Sequence, residues 1–69
     1  MLYGKLNFKE RLVKITLDDN SIIKGTYKGY EDDEILEVEQ VQYITANNKV
    51  ETYKNFIVYK DEIVKMQNL

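Results

Sequence analysis

The stretch from Val13 to Glu31, VKITLDDNSIIKGTYKGYE, narrows the choice of fold more than any other part of this chain. Val13, Ile15 and Leu17 alternate with Lys14, Thr16 and Asp18, so a strand here has one apolar face and one wet face. Asp19-Asn20 then marks a turn, because asparagine takes positive φ at lower cost than most residues. The chain resumes as a strand with Ile22, Ile23, Tyr27 and Tyr30, interrupted by Gly25 and Gly29. Glycine weakens a strand, and its usual compensation is a sharp bend, a bulge or a close backbone approach. The pair predicts a strongly coiled sheet of the kind a small barrel needs.

Further strands follow. From Ile35 to Thr45, Leu36 and Val38 share one phase while Val41 and Tyr43 occupy the other, which predicts a bulge near Glu39-Gln40. Ala46-Asn47-Asn48-Lys49 is the next turn, its asparagines again tolerating positive φ. Between Val50 and Tyr59, simple alternation sets Val50, Thr52, Phe56 and Val58 on one side and Tyr53, Ile57 and Tyr59 on the other. A strand apolar on both sides is either central or an edge that pairs with another chain. After Tyr59-Lys60-Asp61 a short last strand carries Ile63, Val64 and Met66. The expectation is all-β, with five antiparallel strands in one domain over residues 1–69. Two architectures suit that count, the Sm/SH3-like barrel and the OB barrel, and the tight turn before a short final strand favours the former.

At 69 residues the chain is near the size below which one core needs help to hold a fold. It contains no cysteine and no histidine, so neither disulfides nor a His/Cys metal staple can supply that help, and oligomerisation becomes the expected source. No long apolar run is present, so no membrane span is expected. The first residues also lack the apolar stretch of a signal peptide, and a cytoplasmic location is expected.

Six acids, Glu31, Asp32, Asp33, Glu34, Glu37 and Glu39, crowd into residues 31–39 without a Lys or Arg. Outside that block, ten basic residues face six acidic ones. Such a block is more often a solvated loop or face than a site. Read functionally, it would be a cation site, a surface for a basic partner, or a mimic of a nucleic-acid backbone. It lacks the glycine and alternating ligands of a calcium loop, so no metal is assigned to it.

Val13, Ile15 and Leu17, the Asp19-Asn20 turn, Gly25 five residues on, and the Tyr30-Glu31 pair together resemble the first Sm motif of the Sm-like RNA-binding proteins. The run Val58-Tyr59-Lys60-Asp61-Glu62-Ile63-Val64 resembles the second motif, and its Tyr-Lys pair is similar to the form found in the bacterial host-factor (Hfq) branch rather than to the Arg-Gly form. The two matches cover about half of the chain. The resemblance implies a small five-stranded Sm-like barrel and a homo-oligomeric ring. It also implies a short N-terminal helix over residues 1–10, where the pattern of Leu2, Tyr3, Leu6 and Phe8 leaves helix and strand open.

The resemblance further implies that a base enters between neighbouring subunits, stacks on an aromatic plane and is read by polar groups. Tyr59 and Lys60 fall on the second-motif positions that line such a pocket, and Tyr30 is structural or pocket-lining. Other positions depart from the pattern. Asp61 stands where Hfq has histidine, and Asp32 and Asp33 stand where it has glutamine and an aromatic. Ile35 replaces the uracil-reading asparagine of archaeal and eukaryotic Sm proteins, and Thr16 replaces the adenine-stacking tyrosine of Hfq. Carboxylates near phosphate oppose the counterion release that drives RNA binding, so an altered base pocket is expected.

Catalysis has little support. There is no nucleophile motif around Ser21 or any threonine, no phosphate loop, and no sign that the carboxylates are buried enough to titrate near neutrality. No enzyme activity and no cofactor are expected. Two partner classes remain. Six tyrosines, at 3, 27, 30, 43, 53 and 59, suit half-buried barrel positions. Exposed ones near Lys24, Lys28, Lys54 and Lys60 would also suit stacking on single-stranded RNA, or anchoring of a protein partner. The leading expectation is an RNA-binding ring, and the alternative is a protein-interaction module that kept the barrel and lost the RNA site.

Overall fold

The computed structural model describes residues 11–69, so the N-terminal helix implied above, with Tyr3, lies outside the described residues. The chain forms β1 (Arg11–Leu17), β2 (Ile22–Glu31), β3 (Ile35–Ile44), β4 (Val50–Tyr59), a single 3₁₀ turn (Lys60–Glu62) and β5 (Ile63–Asn68). All neighbouring strands are antiparallel, in the order β4-β3-β2-β1-β5. Both asparagine turns form as expected, with Asn20 at φ 70° and Asn48 at φ 67°. The Asp19 carboxylate fastens the first by accepting bonds from the Ser21 N–H (2.9 Å) and Ser21 Oγ (2.5 Å).

One cluster gathers Val13, Ile15 and Leu17 from β1, Ile23 and Tyr27 from β2, Leu36, Val38 and Val41 from β3, Val58 from β4, and Ile63 and Met66 from β5. A single sheet can bring all five of its strands onto one cluster only by curling around it, so the sheet is a barrel. Two irregularities between β2 and β3 contribute to the curl. Opposite Lys24–Thr26, β3 advances from Glu39 to Gln42, one residue more than β2, and Gln40 in that excess takes φ 51°. The expected bulge is there, and it returns Val41 to the core face beside Val38. Later the excess falls on β2: between the Tyr27–Val38 and Glu31–Leu36 pairs, β2 advances four residues and β3 two, with Gly29 at φ 89°.

One face assignment is corrected. Simple alternation sets Tyr53 opposite Phe56, but their ring centroids lie 5.2 Å apart, and Tyr43 stacks on Phe56 at 5.3 Å. β4 keeps register with β3 through the bulge, Glu39 facing Asn55 and Val41 facing Tyr53, so its inward phase changes where that of β3 does. The outermost strands, β4 and β5, each pair with one neighbour in the sheet. Among the described residues they share no ladder; the three-residue 3₁₀ turn joins them, and Val58, Ile63 and Met66 meet in the core cluster. Among the described residues no helix is long and apolar enough to cross a membrane.

Candidate nucleic-acid interface

Two turns meet at the end of the barrel where β4 passes into β5. In the β2–β3 turn the Asp32 carboxylate accepts the backbone N–H groups of Glu34 (2.8 Å) and Ile35 (2.9 Å), while the Asp32 N–H donates to the Ile35 carbonyl (2.9 Å). Those two N–H donors hold the Asp32 carboxyl below the usual carboxylate range. The Lys60 N–H donates to the Glu34 carbonyl at 2.8 Å, which stitches the 3₁₀ turn onto the β2–β3 turn. The acidic block is therefore not one loop. Asp32, Asp33 and Glu34 form the turn, whereas Glu37 and Glu39 lie half-buried on β3 and Glu31 ends β2.

Tyr59, the last residue of β4, is 55% exposed and lines an open concavity of about 230 Å³ with Asp33, Glu34, Lys60 and Asp61. Tyr30, 60% exposed, lines a second concavity of about 190 Å³ with Glu31, Asp32, Ile35 and Glu37. The structure thus brings Tyr59 and Lys60 together and places Tyr30 on the other side of the acidic turn. Ile35 belongs to the Tyr30 concavity, and Thr16, paired with Ile22 and Lys65, lines neither.

Glu31 connects the two sides. One of its carboxylate oxygens, Oε2, accepts the Tyr27 hydroxyl, and the other, Oε1, lies 2.5 Å from Lys60 Nζ. The pair is largely sheltered, with the Lys60 side chain 16% and the Glu31 side chain 12% exposed. Sequence reasoning missed this arrangement. The glycines around Tyr27 marked an irregular strand, but the two-residue excess that draws Tyr27 and Glu31 together is a property of pairing with β3 and is not encoded locally. A surface of this composition offers an aromatic plane, carboxylates and one paired ammonium. Among the described residues no group of Asp and Glu is placed to hold a metal ion.

No family model matches the sequence, and no curated protein is significantly similar to it. Solved structures do match. A heptameric archaeal Sm protein superimposes with a TM-score of 0.78 at 15% identity over 94% of each chain. The Sm protein of Pyrococcus abyssii, solved in complex with a uridine heptamer, gives 0.80 at 14% identity over 94% of this chain and 92% of its own. A chain of the NatC complex bound to CoA gives 0.77 at 12% identity over 99% and 87%. At such identities the likeness is one of backbone, and the backbone of this chain is the five-stranded Sm fold.

Proposed function

We propose that the chain is a non-enzymatic Sm-like protein that assembles into a homo-oligomeric ring through its two outer strands and binds single-stranded RNA at the seams. The observation that carries the reading is the position of Tyr59 and Lys60. They sit at the junction of β4 and β5, the two strands with an outward edge, so a second copy laid along β4 would border the Tyr59 ring. Exposed Ile57 and Tyr59 on β4 and exposed Val64 on β5 supply apolar cover for such a contact. The heptameric and uridine-bound states of the Sm structures with the same backbone support it.

In this reading a base stacks on Tyr59, Lys60 is the cation beside it, and Tyr30 lines the adjoining concavity. The Tyr-Lys form of the second motif relates the site to the Hfq branch, and Asp33, Glu34 and Asp61 alter its base preference. The same carboxylates favour a second reading, in which this end of the barrel docks a basic protein partner. The fold shared with a chain of the NatC complex is compatible with that alternative.

Light scattering and fluorescence anisotropy on short homopolymeric RNAs separate the two. A mass of several copies, and binding of uridine-rich RNA that Tyr59→Ala weakens at low and high salt alike, are expected. Stacking on an aromatic is worth about 1–3 kcal/mol per base, so the loss should be roughly 5- to 150-fold with the assembly intact. A monomer at micromolar concentration removes the seam, and absence of RNA binding at low salt promotes the protein-docking reading.

A further inference from the structure

Among the described residues that line the Tyr59 concavity, Lys60 is the one cation, and its ammonium is turned onto Glu31. The arrangement is built by the β2 irregularity. In a regular strand, residues four apart stand about 13 Å from one another. Here the excess on β2 sets Tyr27 and Glu31 opposite Val38 and Leu36, only two residues apart on β3, a span of about 7 Å along the strand. The Tyr27 hydroxyl therefore reaches the Glu31 carboxylate and leaves its other oxygen facing Lys60. The backbone bond from Lys60 to Glu34 holds the base of the lysine in place. A sheltered pair in contact is screened by salt far less than a surface pair, and a phosphate arriving from solvent would also pass Asp33, Glu34 and Asp61.

We propose that Glu31 is a positioning residue that latches Lys60: the phosphate of a bound strand reaches this ammonium only by displacing the Glu31 carboxylate. The concavity then takes a base on Tyr59 while the backbone phosphate contributes little, so binding there depends weakly on salt. The inference rests on the RNA reading above and adds to it the residue that sets the charge offered to the ligand.

Glu31→Gln removes the carboxylate charge and nearly preserves its shape. Uridine-rich RNA should bind the variant with a salt slope steeper by about 0.7 log unit per log unit of salt, the value for one extra phosphate on a single strand. Between 1 M and 50 mM salt that is a gain of roughly eightfold over the parent. The gain should vanish in Glu31→Gln combined with Lys60→Ala. Equal slopes for the parent and a folded Glu31→Gln protein, with RNA still bound through Tyr59, would overturn the latch and leave the RNA reading standing. If neither protein binds RNA, inorganic tripolyphosphate serves as the probe. Its Lys60-dependent binding by the variant alone keeps the latch and retires the RNA reading, and no binding by either retires both. Should Glu31→Gln not fold, amine acylation of the parent protein, mapped by mass spectrometry, decides instead. Lys60 should react several-fold more slowly than exposed Lys28, Lys54 and Lys65, and equal rates would overturn the latch.

Discussion

At Gly25 an added Cβ would lie 2.6 Å from Val38 Cγ1, 2.9 Å from the Glu39 carbonyl oxygen and 3.0 Å from Val41 Cγ2. Two of those neighbours are core side chains and the third is backbone, so none can move away cheaply. Gly25→Ala should therefore cost about 1–3 kcal/mol in urea unfolding, as overpacking of a closed core does. Gln40, on the facing bulge, is exposed and holds φ 51°, a conformation that costs a side chain of the L series about 1–2 kcal/mol. Gln40→Gly relieves that cost and adds chain entropy of about 0.5–1 kcal/mol. Its urea midpoint should stay level or rise, and a fall as large as that of Gly25→Ala would contradict the assignment. Asp32 makes a different prediction. Backbone N–H bonds lower its pKa on folding, and the Ser21 hydroxyl and N–H lower that of Asp19. For a carboxyl depressed in the folded state, the stabilisation is present above the ordinary value of 3.8 and disappears as pH falls through the lowered one. The urea midpoint should hold steady from pH 7 to about 5 and decline below about pH 4. Asp32→Asn should flatten part of that decline, whereas Asp33→Asn, whose side chain has no such role in the turn, should leave stability unchanged and raise RNA affinity.

β4 and β5 show how an element is shaped by what it lacks. Residues facing the core on β4 are Val58 and half-buried Phe56, while Val50, Ile57 and Tyr59 are more than half exposed. On β5, Ile63 and Met66 are buried and Val64, next to Ile63, faces outward by simple alternation at 56% exposure, while the register shift against β1 brings Met66, three residues after Ile63, back to the core. Strand edges with apolar side chains and open backbone groups are sites of pairing with another chain. Ile57→Asp, which puts a charge on the outward face of β4 without touching the core cluster, should reduce the mass seen by light scattering while leaving the circular dichroism of the monomer in place. An unchanged mass would move the interface off this strand. The rings of Tyr43, Tyr53 and Phe56 pack together on the half of the β3–β4 hairpin nearer its asparagine turn. There the Tyr53 hydroxyl donates to Glu51 at 2.7 Å, which pushes its pKa up, so this tyrosine should ionise late in an alkaline ultraviolet titration.

At the scale of the molecule, eleven buried hydrophobic residues form the core among the described residues. A single domain of 69 residues is only marginally stable by itself. If copies associate through their outer strands, part of the stability is intermolecular, and the melting midpoint must rise with protein concentration by mass action. A midpoint independent of concentration over a hundredfold range would count against the ring. It would leave the monomeric barrel, and with it the protein-docking reading, as the better account of the acidic end.

Much of the barrel was legible in the chain because its signals are local. Alternation in β1, the asparagine turns, and the phase change between Val38 and Val41 depend on neighbours in sequence, and each appears where expected. Tyr59 and Lys60 could be paired for the same reason: they are adjacent in sequence and sit at one turn. What remained hidden depends on partners brought together by the sheet. Tyr53 joins Phe56 only because β4 follows the register of β3. Tyr30 is separated from Tyr59 by a turn whose shape is fixed through Asp32 and the backbone of Lys60. Glu31, one acid among six in sequence, becomes the partner of Lys60 because pairing with β3 draws two residues of β2 out of line. Composition and period set which residues form strands and which face is apolar. Cross-strand register, which no local pattern carries, decided which charges meet.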